Sequence, residues 1–209
     1  QGEIFCRMEE FSNQGLVRRL EAAGAEVWLA DVAGWVWYCN LFQEDTLRLS
    51  GRSLSWEMLR ARLRDRVQRA DEAALYQPFA GELTGGEPAG GMASLIAAAT
   101  PYLPHPGASG EMVLSAGSVD VFFRQGVDGV LDVSPFSCMN GLVSEALYPR
   151  QSREHAGLPI QALTFDGTAR DQSLELEIFL EMARDFQGSK PHPRRYPPAF
   201  DGGLGQVSA

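Results

Sequence analysis

The run Val127-Asp128-Gly129-Val130-Leu131-Asp132-Val133-Ser134-Pro135-Phe136-Ser137-Cys138-Met139-Asn140-Gly141 constrains the fold most, because an apolar stretch of strand length enters a short loop that opens a helix. The pattern then repeats. Gly129 to Val133 reads as a strand, Leu142 to His155 as a helix, Ile160 to Phe165 as a strand and Leu174 to Phe186 as a helix. Leu174-Glu175-Leu176-Glu177-Ile178 alternates as a strand would, yet Leu174, Ile178, Met182 and Phe186 step by four, and length decides for a helix. A strand, a crossover helix and a second strand imply parallel pairing with a right-handed connection.

The beginning of the chain carries a second pattern of this kind. Gly2 to Met8 suits a buried strand, Asn13 to Ala23 has the spacing of an amphipathic helix closed by Gly24, and Ala25 to Ala30 suits another strand. Between the two halves the pattern is helical. Trp56, Leu59, Leu63 and Val67 recur at three- and four-residue steps, and Arg60, Arg62, Arg64, Arg66 and Arg69 read as the solvated face of that helix. Residues 80–91 read as a loop, Met92 to Ala99 as a helix and Glu111 to Gln125 as another. After Gly188 the prolines and glycines leave too little apolar surface to repay ordering, so the tail should be mobile or draped over the surface.

These elements predict an α/β fold: a Rossmann-like parallel sheet of about four strands flanked by helices, with a helical insertion between the second and third strands. The expected divisions are 1–33 and 110–187 for the two halves of the Rossmann-like domain, 34–109 for the insertion and 188–209 for the tail. In such a sheet the loops at the carboxyl ends of the strands share one edge, where binding and chemistry occur. Cys138, Asp166, Asp31 and Glu9 are thereby brought toward one crevice, with Ser134, Phe136 and Asn140 as further lining candidates. A thiol at the start of a helix is the first residue to suspect, because the positive end of the helix dipole favours thiolate. Asn140 is expected to cap that helix. Cys6, in an apolar strand, and Cys39, on an apolar helical segment, are expected to pack as small hydrophobes. At each strand end a bland reading competes, since Asp and Gly after a strand commonly just turn the chain.

Several function classes are excluded by what the chain lacks. It has no G-x-x-x-x-G-K-[ST] loop, no G-x-G-x-x-G after the first strand and no C-x-x-C, so ATP, dinucleotide, structural zinc and dithiol redox sites cannot be written by those devices. A net charge of −9 with 18 Lys and Arg argues against a nucleic-acid partner. No apolar run approaches the roughly 20 residues of a membrane span. Three widely spaced cysteines make no disulfide framework, which points to a reducing cytoplasm. His105, His155 and His192 form no recognisable Cys-His signature with Cys138. Gln1-Gly2-Glu3 runs directly into Ile4-Phe5-Cys6 without an initiator Met or signal-peptide pattern, as a piece of a longer polypeptide would.

Gly2-Glu3-Ile4-Phe5, Gly24-Ala25-Glu26-Val27-Trp28-Leu29-Ala30, Ala99-Thr100-Pro101-Tyr102-Leu103 with Gly110-Glu111-Met112-Val113-Leu114, and Ser134-Pro135-Phe136-Ser137-Cys138-Met139 together carry a family resemblance. Over nearly all of residues 2–187 the chain resembles the region after the ATPase domains of large proteins related to CoA-substrate-specific enzyme activases. These are the activators of 2-hydroxyacyl-CoA dehydratases and benzoyl-CoA reductases. The region is itself similar to the dehydratase subunits that hold an iron-sulfur cluster. The resemblance implies low-potential electron transfer to CoA-ester dehydration or reduction, with Cys138 at the position of a [4Fe-4S] ligand. The other matching cysteines would precede Gln1, so this fragment is expected to hold no cluster and to be inactive alone. Asn140 departs from the related motif, which more often reads Phe-x-Cys-Met-Pro-Gly. Implied partners are the ATPase domain of the same longer chain, or a dehydratase or reductase subunit, with a CoA ester as possible ligand. Two alternatives from other classes stand beside this reading: a non-catalytic Rossmann-like docking module, and a cysteine-dependent acyl-transfer enzyme that needs a histidine beside Cys138.

Overall fold

The structure is a computed structural model and describes residues 1–82, 91–104 and 107–196. It is a mixed α/β fold, mostly helical, whose described residues include one sheet of two parallel strands. The chain divides into two compact units, one built on Gln1–Ala30 and Ala93–Arg194, the other on Asp31–Met92.

The sheet lies in the first unit. Strand β1 (Val130–Pro135) pairs with β2 (Ile160–Phe165) from Val130 opposite Ile160 to Pro135 opposite Phe165. Helix α7 (Met139–Glu154) is the crossover between them, and α6 (Glu111–Gln125) and α8 (Ser173–Gln187) flank them in sequence. Gly126 in the left-handed region, with φ +81°, ends α6 and turns the chain toward β1. At Gly129 a Cβ would lie 2.7 Å from the Phe179 ring, so only glycine lets α8 approach the start of β1 this closely.

The expected four-strand sheet is not formed by the described residues, and both departures lie in the first 30 residues. Only Gln1 to Glu3 run beside β1: Gly2 bridges Val133 in parallel, the Val133 N–H donates to the Gln1 carbonyl at 3.0 Å, and the Glu3 N–H donates to the Val133 carbonyl at 2.8 Å. From Ile4 to Met8 the chain is helix α1 instead of strand. Its cause is local, because the Glu3 carboxylate accepts the N–H groups of Phe5 at 3.1 Å and Cys6 at 2.7 Å and so caps a helix start. Ala25 to Ala30 follows helix α2 (Leu16–Ala22) and carries no regular secondary structure. Ala25 and Val27 still pack against the core made by Leu16, Leu20, Val133, Leu163, Leu176, Phe179 and Leu180. A second core, under α6 and α7, joins Val119, Val130, Tyr148, Leu158 and Phe186.

Two apolar stripes face outward. On α8 the buried positions are Leu176, Phe179, Leu180, Ala183 and Phe186, while Leu174, Ile178 and Met182 are exposed. The helix is where the spacing put it; the inward face is the neighbouring one. In the second unit, α3 (Ala33–Leu49) packs along α4 (Trp56–Tyr76), which starts at a Ser55 cap, and α4 buries Met58 and Ala61. Trp56, Leu59, Leu63 and Val67, whose steps predict this helix, are exposed. The arginines of α4 are surface groups: Arg69 pairs with Asp65 at 2.8 Å and lies 4.7 Å over the Trp37 ring, Arg62 is 3.9 Å from Glu44, and Arg64 donates to Gln43.

The start of the tail is draped. Lys190 pairs with Asp128 at 2.6 Å, His192 meets the edge of Phe123, and Arg194 pairs with Glu26 at 3.2 Å. Residues 197–209, the glycine-rich stretch 83–90 and His105 lie outside the described residues.

Candidate functional site

The carboxyl end of β1 turns sharply before α7. The Phe136 N–H donates to the Phe165 carbonyl at 2.8 Å, tying the loop to the end of β2. Ser137 then takes φ +65°, a left-handed conformation uncommon for a residue with a side chain. Cys138 follows as the N-cap of α7, its amide bonded to the Pro135 carbonyl at 3.1 Å and its carbonyl accepting the Leu142 N–H at 3.0 Å. Its side chain makes no capping hydrogen bond. The thiol therefore sits at the mouth of the helix, half-buried, as the sequence pattern predicts.

Asn140 does not cap the helix. It lies within the first turn, and its Oδ1 is buried without a hydrogen-bond partner in the described structure. Gly110 sits against that oxygen so closely that a Cβ there would come within 2.9 Å. Ser134 is buried beneath the same turn, where a Cβ on Gly141 would meet its Oγ at 2.5 Å. Ser134, Cys138 and Asn140 are thus brought together at one strand end. Phe136 and Met139 rim it, both more than two-thirds exposed.

Three residues that sequence reasoning did not place here belong to the neighbourhood. Because α1 follows directly from the residues that pair with β1, Glu3 and Cys6 arrive at the same strand end. Glu111, in the first turn of α6, accepts the Ile4 N–H at 3.3 Å. Burial, and then the charge of Glu3 and its hydrogen bond, push the Cys6 thiol up to about 11; the thiol also feels the charges of Cys138 and Glu111. The Glu111 carboxyl is likewise raised, first by burial. Cys6 is a neutral thiol near pH 7, whereas a metal ligand must be thiolate. The available signal was Glu3 directly ahead of Ile4-Phe5-Cys6, since a side-chain oxygen there can accept the first free N–H groups of a helix.

The remaining candidates go elsewhere. Asp166, after β2, accepts the N–H of Thr168 at 2.9 Å and its hydroxyl at 2.6 Å, bonds that hold its carboxyl below the usual range. This is an exposed turn, the bland reading. Asp31 accepts the Ala33 N–H at 2.9 Å just ahead of α3 and lies in the second unit, and Glu9 closes α1 at the surface. His155 stands at the opposite end of α7 from Cys138, roughly 24 Å away for sixteen helical residues. It is buried, with Nδ1 at 2.8 Å from the Gln151 carbonyl and Nε2 at 3.3 Å from Asp120. His192 packs on Phe123, as His155 does. Neither histidine serves Cys138 as a base. Cys39 is exposed, not packed.

A buried acid in mid-strand is also new. Asp132, 2 % exposed, accepts the Tyr148 hydroxyl, and burial with this carboxylate beside it drives the Tyr148 phenol well above its ordinary value.

Among the described residues no three His, Cys, Asp or Glu side chains come together as a metal-holding group. A [4Fe-4S] cluster needs several thiolates. The donor set at this strand end does not fit a complete cluster by itself. No helix of the described structure is long and apolar enough to cross a membrane. Comparison with known proteins finds no matching family model, no matching curated protein and no matching solved structure.

Proposed function

We propose that the chain is a domain of an activase-related, iron-sulfur-associated protein of the cytoplasm that takes part in low-potential electron transfer to CoA-ester dehydration or reduction. In this reading Cys138 offers one thiolate to a cluster whose other ligands come from outside these 209 residues, and the four-strand Rossmann-like sheet is completed in the same way. The supporting observation is the setting of Cys138: a half-buried thiol with no capping duty, at the junction of a parallel strand and a helix. A bound cluster would supply electron transfer. The residues around it, Ser134, Asn140, Phe136 and Met139, would shape the mouth and exclude water. Its partners are the ATPase domain of the same longer chain or a dehydratase or reductase subunit.

A second reading, a non-catalytic docking module, is favoured by the apolar side chains left exposed around α1 and the start of α7: Phe5, Met8, Phe11, Phe136, Met139 and Leu142. The two readings part in one experiment. The chain is incubated anaerobically with a preformed [4Fe-4S] cluster carrying exchangeable small-thiol ligands, and protein-bound iron is measured after gel filtration. With the small thiols standing in for the ligands this chain lacks, the cluster reading expects iron to follow the wild type and Cys6→Ser and to be lost in Cys138→Ser. Equal iron in wild type and Cys138→Ser sinks it.

A further inference from the structure

Helix α4 turns its more apolar face to solvent. On the face that meets α3 the buried Met58 and Ala61 are followed by Asp65, Gln68 and Glu72. These three serve polar contacts: the Asn40 amide donates to Asp65 at 3.0 Å and to Gln68 at 2.9 Å, and the Trp37 indole N–H donates to Glu72 at 3.3 Å. The opposite stripe is Trp56, Leu59, Leu63, Val67, Ala70 and Ala74, every one of them exposed, the first four by more than half. Steps of three and four residues keep all six on one line along a 21-residue helix, about 31 Å long. A surface helix ordinarily has the reverse arrangement, and a continuous outward apolar stripe marks an interaction face.

Size and charge along the stripe select its partner. The amino half carries the large side chains Trp56, Leu59 and Leu63, and the carboxyl half the small Ala70 and Ala74. A second α4 laid antiparallel across a two-fold axis near residue 65 sets Trp56 over Ala74 of the other copy, Leu59 near Ala70 and Leu63 beside Val67, so that each large group fills the space over a small one. A parallel pair would stack Trp56 on Trp56 and leave alanine facing alanine. Charge agrees. Arg60 and Asp71 are exposed on the same flank of the stripe, and antiparallel pairing brings like flanks together, with Arg60 of each copy beside Asp71 of the other. The other flank brings the two copies of Arg66 near each other, a like-charge contact that keeps the association modest.

We propose that this face is the interface of a homodimer, in which two copies of the chain pair their α4 helices antiparallel along the stripe from Trp56 to Ala74. Every residue of the contact belongs to the second unit, so the association rests on none of the residues around Cys138.

The test is sedimentation equilibrium of the 209-residue chain up to about 0.2 mM, a range in which small interfaces are populated. The mass is expected to rise from one chain toward two. Leu63→Glu, which would bury two carboxylates at the centre of the stripe, is expected to weaken association by at least about tenfold with unchanged circular dichroism. Arg60→Glu and Asp71→Arg are each expected to weaken it by about threefold or more, and the double variant to recover the wild-type level. These two positions are exposed, so the charge exchange decides even where Leu63→Glu disturbs the fold. A wild-type chain that stays a single copy throughout overturns the proposal, as does a dimer that a folded Leu63→Glu leaves intact. Single exchanges without effect, or a double variant that recovers nothing, overturn the antiparallel register.

Discussion

The two ends of the first unit were built from similar sequence and came out differently. From Val130 to Gln187 the order strand, helix, strand, helix holds, with β2 spanning the residues its apolar run predicts. From Gln1 to Ala30 the expected strand, helix, strand became a three-residue ladder, a short helix, a second helix and an unpaired extended stretch. The difference lies in partners. A helix closes its hydrogen bonds within itself, whereas a strand exists only when an edge meets it. β1 and β2 supply each other's edge; Ala25–Ala30 has none.

The largest expected effect sharpens that contrast in the core. Phe179→Ala, which empties the contact of α8 with Gly129 and the main cluster, should cost about 3–5 kcal/mol by chemical denaturation. A loss under about 1 kcal/mol would break the picture of a completed carboxyl half. The next effect belongs to the amino end. Glu3→Ala is expected to cost about 1 kcal/mol by uncapping α1. A neutral result would favour a strand over residues 4–8. Phe11→Ala, at a side chain 91 % exposed, should fall within about 0.5 kcal/mol of wild type.

Elements with their own periodicity and caps were legible in the sequence. Glu111–Gln125 spans the predicted residues, and Cys138 sits at the strand-to-helix junction where its neighbours put it. What could not be read were properties set by distant residues. Leu174, Ile178 and Met182 step as a core stripe does, yet Leu176, Phe179 and Leu180 are buried because they are the ones that meet the core with Val133 and Leu163. Apolar spacing names a helix and leaves its inward face open when two adjacent faces are both apolar. Cys6 was read inside a strand; the Glu3 cap put it on a helix and brought it to the site. Asp166 carried a functional and a bland reading, and the turn it forms with Thr168 depends on a contact that strand spacing does not reveal.

The distribution of the three thiols has a practical consequence. Cys6 is buried with its thiol pushed up to about 11, Cys138 is half-buried at a helix mouth, and Cys39 is exposed on α3. A maleimide spin label applied briefly at neutral pH should therefore attach at Cys39 and Cys138 and spare Cys6. These two positions belong to different compact units. The wild-type chain thus carries a built-in spectroscopic ruler, able to follow the separation of its two halves as salt, temperature or a partner is added, without a single engineered residue.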